Sequence, residues 1–103
     1  MAESAQHTIT PGTRVVTSRN QLSTQLSGEA VILGLRDSVY YGLAGAGARI
    51  WELVQQPAAL RGVAATVSRE FDVDETRAMA DILALAQDLL ARGLIEVVPD
   101  AAP

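Results

Sequence analysis

The stretch that decides the fold is Ala30-Val31-Ile32-Leu33-Gly34-Leu35-Arg36-Asp37-Ser38-Val39-Tyr40-Tyr41-Gly42-Leu43. Two apolar runs flank a short polar connection, which is the pattern of a β-hairpin. The expected strands are Ala30–Leu35 and Val39–Leu43, joined by Arg36, Asp37 and Ser38. That connection contains no Gly, so Asp37 is the residue expected to take a positive φ. Alternation places Val31, Leu33 and Leu35 on one face and Ile32 and Gly34 on the other. On the second strand Val39, Tyr41 and Leu43 share a face, and Tyr40 and Gly42 point oppositely.

Upstream of the hairpin, Arg14-Val15-Val16-Thr17 and Leu22–Leu26 are β-prone, and Ser27-Gly28 closes the second run with a turn. Periodicity does not say which of the two is the first strand of the sheet. Downstream the period changes from 2 to 3.6. Ile50, Leu53 and Val54 mark a helix from about Gly47 to Gln55, stopped by Pro57. Leu60, Val63, Ala64 and Val67 mark a second, from about Ala59 to Glu70. The third starts at Asp74, a good N-cap with Glu75 behind it, and ends at Arg92 with Gly93 as its C′ residue. Leu94–Val98 is a short extended segment. Strands followed by three helices define an α+β domain. It spans residues 14–98, between a flexible arm over 1–13 closed by Pro11-Gly12 and a tail over 99–103.

The third helix is broadly apolar. Ala78, Ile82, Leu85 and Leu89 form one ridge; Met79, Leu83, Ala86 and Leu90 form a second. Together they span an arc of roughly 160°, wider than the stripe of an ordinary surface helix. Either a small core wraps both ridges, or part of the second lines an exposed groove, as apolar strips at partner sites do.

Composition removes most catalytic chemistry. At 103 residues the chain has room for one domain, and its 49% hydrophobic content is enough for a core. It has no Cys, and its one His, His7, lies in the polar N-terminal stretch. A thiol nucleophile, a Cys-ligated metal and a His-based triad therefore find no residues. Asp72, Asp74 and Glu75 cluster at a helix start, where carboxylates serve capping, so no metal site is expected. The segment Gly42-Leu43-Ala44-Gly45-Ala46-Gly47 lies between strand and helix but lacks the Gly-Lys-Ser/Thr ending of a phosphate loop. No cofactor is expected and no catalytic residue is assigned.

Partners are bounded by charge. Eight Arg and no Lys stand against twelve acids, a formal net charge of −4. A hairpin with three helices is also the plan of a winged helix-turn-helix, but a recognition helix needs basic and amide side chains. Helix three instead carries Asp74, Glu75, Asp81 and Asp88 against Arg77 and Arg92, so no nucleic-acid partner is expected. Residues 1–12 have neither a basic nor an apolar region of a signal peptide, and no run approaches a membrane span. The expected location is the cytoplasm.

Taken in order, Val31–Leu35, Val39–Leu43, Gly47-Ala48-Arg49-Ile50-Trp51-Glu52-Leu53, Glu70-Phe71-Asp72-Val73 and Asp81-Ile82 through Arg92-Gly93-Leu94-Ile95 resemble the PqqD-like family of RiPP recognition elements. Within it the chain looks most like the stand-alone leader-binding proteins of lasso peptide biosynthesis. The likeness covers roughly residues 14–97. It departs where Ala44, Gly45 and Ala46 stand in place of an Asn cap and a Pro-Thr pair, and where Asp37-Ser38 replaces the usual loop Gly.

The resemblance implies a small winged-helix-like domain that is itself no catalyst. It implies that the leader of a ribosomally made precursor adds as a strand to the sheet edge beside the third helix. It further implies delivery to a leader peptidase and a macrolactam-forming cyclase. An alternative is a chaperone that feeds a radical SAM enzyme; a less favoured one is a winged-helix DNA-binding regulator. The peptide-binding residues expected on this reading are Val39, Tyr40, Tyr41, Gly42 and Leu43, with Met79, Leu83 and Ala86 as the groove wall. A free edge offers unpaired N–H and C=O groups, and tyrosines suit a half-wet groove.

Overall fold

In the computed structural model, which describes residues 9–99, two three-stranded antiparallel sheets and three helices share one core. Strands β1 (Arg14–Thr17), β2 (Gln21–Leu26), β3 (Glu29–Gly34) and β4 (Val39–Ala44) come first. Helix α1 (Ala46–Leu53), the two-residue β5 (Ala58–Ala59), α2 (Leu60–Phe71), α3 (Glu75–Ala91) and β6 (Ile95–Val98) follow. One sheet has the order β5-β1-β6, the other β2-β3-β4. The α+β class and the winged-helix plan expected from the sequence are what the chain adopts.

Both upstream runs are strands, and they belong to different sheets. In the first sheet β1 pairs Val15 with Val97 and with Ala58, so residues distant in sequence close it. In the second, β2 pairs Leu22 with Leu33, and β3 pairs Leu33 with Tyr40. Directly opposed residues share a face. Ala30 and Ile32 therefore point into the core, both fully buried, while Leu22, Leu33 and Tyr40 stand in one row on the outer face.

The hairpin differs from expectation in two details. Leu35 leaves the strand, so the connection is four residues, Leu35–Ser38. The residue at positive φ is Ser38 (φ 58°), not Asp37. The Ser38 N–H donates to the Gly34 carbonyl, closing a single helical turn, and the residue after such a turn must go left-handed to rejoin the strand. Asp37 is freed to work through its side chain, which accepts from the Val39 N–H at 3.1 Å and from the Tyr41 hydroxyl.

The helices stand within a residue or two of their expected bounds. Trp51 of α1 is fully buried, and its indole N–H donates to Ser23 Oγ of β2 at 3.1 Å. Helix α1 starts at Gly45 without a side-chain cap, as its missing Asn implied. Asp74 caps α3 by accepting from the Arg77 N–H at 3.2 Å. Between α2 and α3, Asp72 turns the chain in the left-handed conformation and Ser68 Oγ donates to the Val73 carbonyl. Residues 9–13 are tied down: the Pro11 and Thr13 carbonyls accept from the Arg61 and Leu60 N–H groups at the start of α2. The rest of the expected arm, 1–8, and residues 100–103 of the expected tail lie outside the described residues.

Candidate peptide-binding edge

Strand β4 is an edge. Its only strand partner among the described residues is β3. Tyr40 is 71% exposed on the outer face, Gly42 is exposed, and Val39 is 44% exposed. Tyr41 and Leu43 point inward, half-buried against the core.

The end of β4 near the hairpin loop meets the C-terminal end of α3. The Arg92 guanidinium lies over the Tyr41 ring, 5.2 Å from its centre, while ion-pairing with Asp88 at 3.1 Å. Gly34 lies beneath Tyr41: a side-chain Cβ there would come within 2.7 Å of Asp37 Oδ1 and 3.3 Å of the Tyr41 ring, so any larger residue would push the Asp37 carboxylate and the ring aside. The Tyr41 hydroxyl holds the Asp37 carboxyl below the usual carboxylate range, and the Val39 N–H adds to the effect. Gly93, at φ 75°, makes room for the Arg36 side chain, and its carbonyl accepts from Ser18 Oγ at 2.7 Å. Hairpin loop, β1–β2 turn and end of α3 are thus locked together at the loop end of β4.

The buried line Ala78, Ile82, Ala86 and Leu89 sets the rotation of α3, and Arg92 marks the flank nearest β4. Arg92 lies seven residues after Leu85, nearly two turns, so both occupy the flank that turns toward β4. Leu85, expected in the core, is half-buried on this flank. Ala86, expected in the groove wall, is 5% exposed and belongs to the core line with Ala78, Ile82 and Leu89. Met79 and Leu83 occupy the opposite flank. They line a separate depression of about 630 Å³ with Pro11 and Arg61. Val39, Tyr40, Tyr41, Gly42 and Leu43 are consecutive on the β4 edge, whereas Met79 and Leu83 line the separate depression and Ala86 is in the core.

The opposite edge, β2, is built differently. Its inward residues Gln21, Ser23 and Gln25 are polar and bonded to the Ser18 carbonyl, the Trp51 indole and the Ala48 carbonyl. Under the β4 edge the inward side chains are instead Tyr41 and Leu43, aromatic and aliphatic. Among the described residues no group of three His, Cys, Asp or Glu side chains could hold a metal, and no helix is long and apolar enough to cross a membrane.

Residues 29–95, from the start of β3 to the start of β6, match the PqqD family, described as coenzyme PQQ synthesis protein D. The match covers more than half of the chain, which belongs to this family of small winged-helix-like domains. Among solved structures, "TbiB1 in Complex with the TbiA(beta) Leader Peptide" is similar at a TM-score of 0.74 and 26% identity, over 82% of this chain and 99% of that one. No curated protein matches the chain.

Proposed function

We propose that this chain is a non-catalytic recognition module that takes the leader segment of a ribosomally synthesised precursor peptide as an added strand on β4. The observation that carries the reading is the unpaired β4 edge, with Tyr41 and Leu43 beneath it and Arg92, at the end of α3, over the Tyr41 ring. Backbone groups of Tyr40–Leu43 supply affinity without regard to sequence, and the apolar floor selects alternate leader side chains. The likeness to a chain solved with a leader peptide supports the same reading. The resemblance to lasso-system proteins points to a cytoplasmic role, handing the leader to a leader peptidase and a macrolactam-forming cyclase.

The family's description as a PQQ synthesis protein favours a second reading, in which the enzyme served is a radical SAM protein. DNA binding is disfavoured by the surface of α3, where Arg77 and Arg92 are each held by an acid one turn away, Asp81 and Asp88. Titration calorimetry with the leader of the chain's cognate precursor peptide tests the proposal. Saturable one-to-one binding is expected, with no cleavage of the precursor by this chain alone. Absence of binding, or cleavage that survives repurification, contradicts it.

A further inference from the structure

Strand β4 contains a glycine that the free chain does not require. Gly42 has no positive φ, and a Cβ placed on it would meet nothing within 4 Å. It marks no bulge, because the pairing of β3 with β4 runs unbroken from Glu29↔Ala44 to Gly34↔Val39. Gly34 is different, since crowding by Asp37 and Tyr41 accounts for it. Glycine weakens a strand: it loses the most backbone freedom on folding and has no side chain to pack. Where neither a bulge, the backbone conformation nor crowding calls for it, the remaining use of a strand glycine is close approach by a ligand.

The backbone of Gly42 faces the open edge. The Gly45 N–H donates to the Gly28 carbonyl, a bond that brackets the Glu29–Ala44 pair and leaves those two residues unbonded to each other. Antiparallel pairs alternate, so Ala30 bonds Leu43 and Ile32 bonds Tyr41, while the N–H and C=O groups of Tyr40, Gly42 and Ala44 point away from β3. An added strand therefore bonds Gly42 and sets one of its own residues opposite. Opposed residues share a face, so the side chain of that residue lies on the outer face of the sheet. There it meets a notch. Gly42 contributes no side chain, the half-buried Val31 stands across from it on β3, and Tyr40, 71% exposed, stands two residues along on the same face.

We infer that Gly42 is a specificity-determining position: its notch admits one large apolar or aromatic side chain of the leader, which lies across the bare glycine backbone onto Val31 and against the Tyr40 ring. A cross-strand aromatic over a glycine restores the packing that the glycine lacks. The walls set the class of side chain. No charged residue stands in the row Thr24, Val31 and Gly42 or in the neighbouring row Leu22, Leu33 and Tyr40, so a charged side chain gains no partner there while an apolar one buries its surface. This role rests on the proposed addition of the leader to β4 and deepens it. Tyr41 and Leu43 select the leader side chains that point inward, and Gly42 selects one that points outward.

The test compares the full chain with its Gly42→Val variant and with Thr24→Val, which lies in the same cross-strand row at the far edge. The probe is the leader peptide of the cognate precursor, in its natural sequence and with each bulky residue changed singly to Ala, titrated by calorimetry. Val suits a strand better than Gly, so Gly42→Val is expected to melt at or above the parent temperature. It is expected to bind the natural leader about tenfold or more weakly, and Thr24→Val to bind it within twofold of the parent. One Ala leader is expected to lose about tenfold on the parent yet to bind Gly42→Val at least as well as the natural leader does, because the notch is already filled. Gly42→Val melting well below the parent assigns the glycine to the fold and overturns the inference. Unchanged affinity of Gly42→Val for the natural leader overturns it, as does a loss that no Ala leader relieves. A parent that does not bind leader fails the β4 reading itself, and the notch falls with it; a parent and a Gly42→Val chain that bind equally well fail the notch alone.

Discussion

Two aromatic residues separate structural from recognition roles. Trp51 fills the core completely and spends its one polar atom on Ser23 Oγ. Trp51→Ala leaves a large cavity in the core and is expected to cost about 3–5 kcal/mol, measured by urea unfolding. A loss below about 1 kcal/mol would mean the site collapses around the smaller residue. Tyr41 is held from two sides, by Asp37 at its hydroxyl and by Arg92 on its ring. Tyr41→Phe keeps the ring but removes the strongest influence holding the Asp37 carboxyl down. An NMR titration of Asp37 is therefore expected to move up toward the ordinary carboxylate value; an unchanged midpoint would show that the Val39 N–H alone sets it. Asp37 itself illustrates how far composition reads. Its place in the loop was legible, but its role was not: it holds Tyr41 through its side chain, and Ser38 takes the strained backbone.

At the scale of elements, α1 and α2 are joined by the two-pronged Arg49–Glu70 pair, which keeps the Glu70 carboxyl below its ordinary value. A carboxylate whose folded pKa lies below its unfolded one stabilises the fold above the unfolded value, and that stability is lost as pH falls through the folded value. The loss is expected to begin below about pH 4.3. Glu70→Gln is expected to flatten the acid limb of a plot of melting temperature against pH; an identical limb in the variant contradicts a role for this pair. Helix α3 supplies the sharper test, because its rotation decides which flank lies nearest β4. Its period and caps were legible from Asp74 to Gly93, but two adjacent apolar ridges left its rotation open. Packing by α2 and β6, and the Tyr41–Arg92 contact, set that rotation. Leu85→Ala is therefore expected to weaken leader binding by about 1–2 kcal/mol. Leu83→Ala, on the other flank, is expected to leave it within twofold. The reverse order in calorimetry would place the leader on the Met79–Leu83 side.

For the whole molecule, alternation and turn chemistry were enough to find the hairpin, and the change to a 3.6 period was enough to find the helices. The division into two sheets was not legible, because β1 pairs with β5 and β6 across most of the chain and short strands carry no signal of distant partners. That division is what isolates β2-β3-β4 with a polar-backed edge at β2 and an apolar-backed edge at β4. The central claim is that the leader becomes a fourth strand on β4. Hydrogen–deuterium exchange of the chain, free and saturated with leader, tests it most directly, since strand addition engages backbone amides on the open side of the edge. Strand addition at β4 slows exchange in Tyr40–Leu43 and leaves the β2 amides unchanged. Protection confined to β2, or none in β4 at saturating leader, would contradict it.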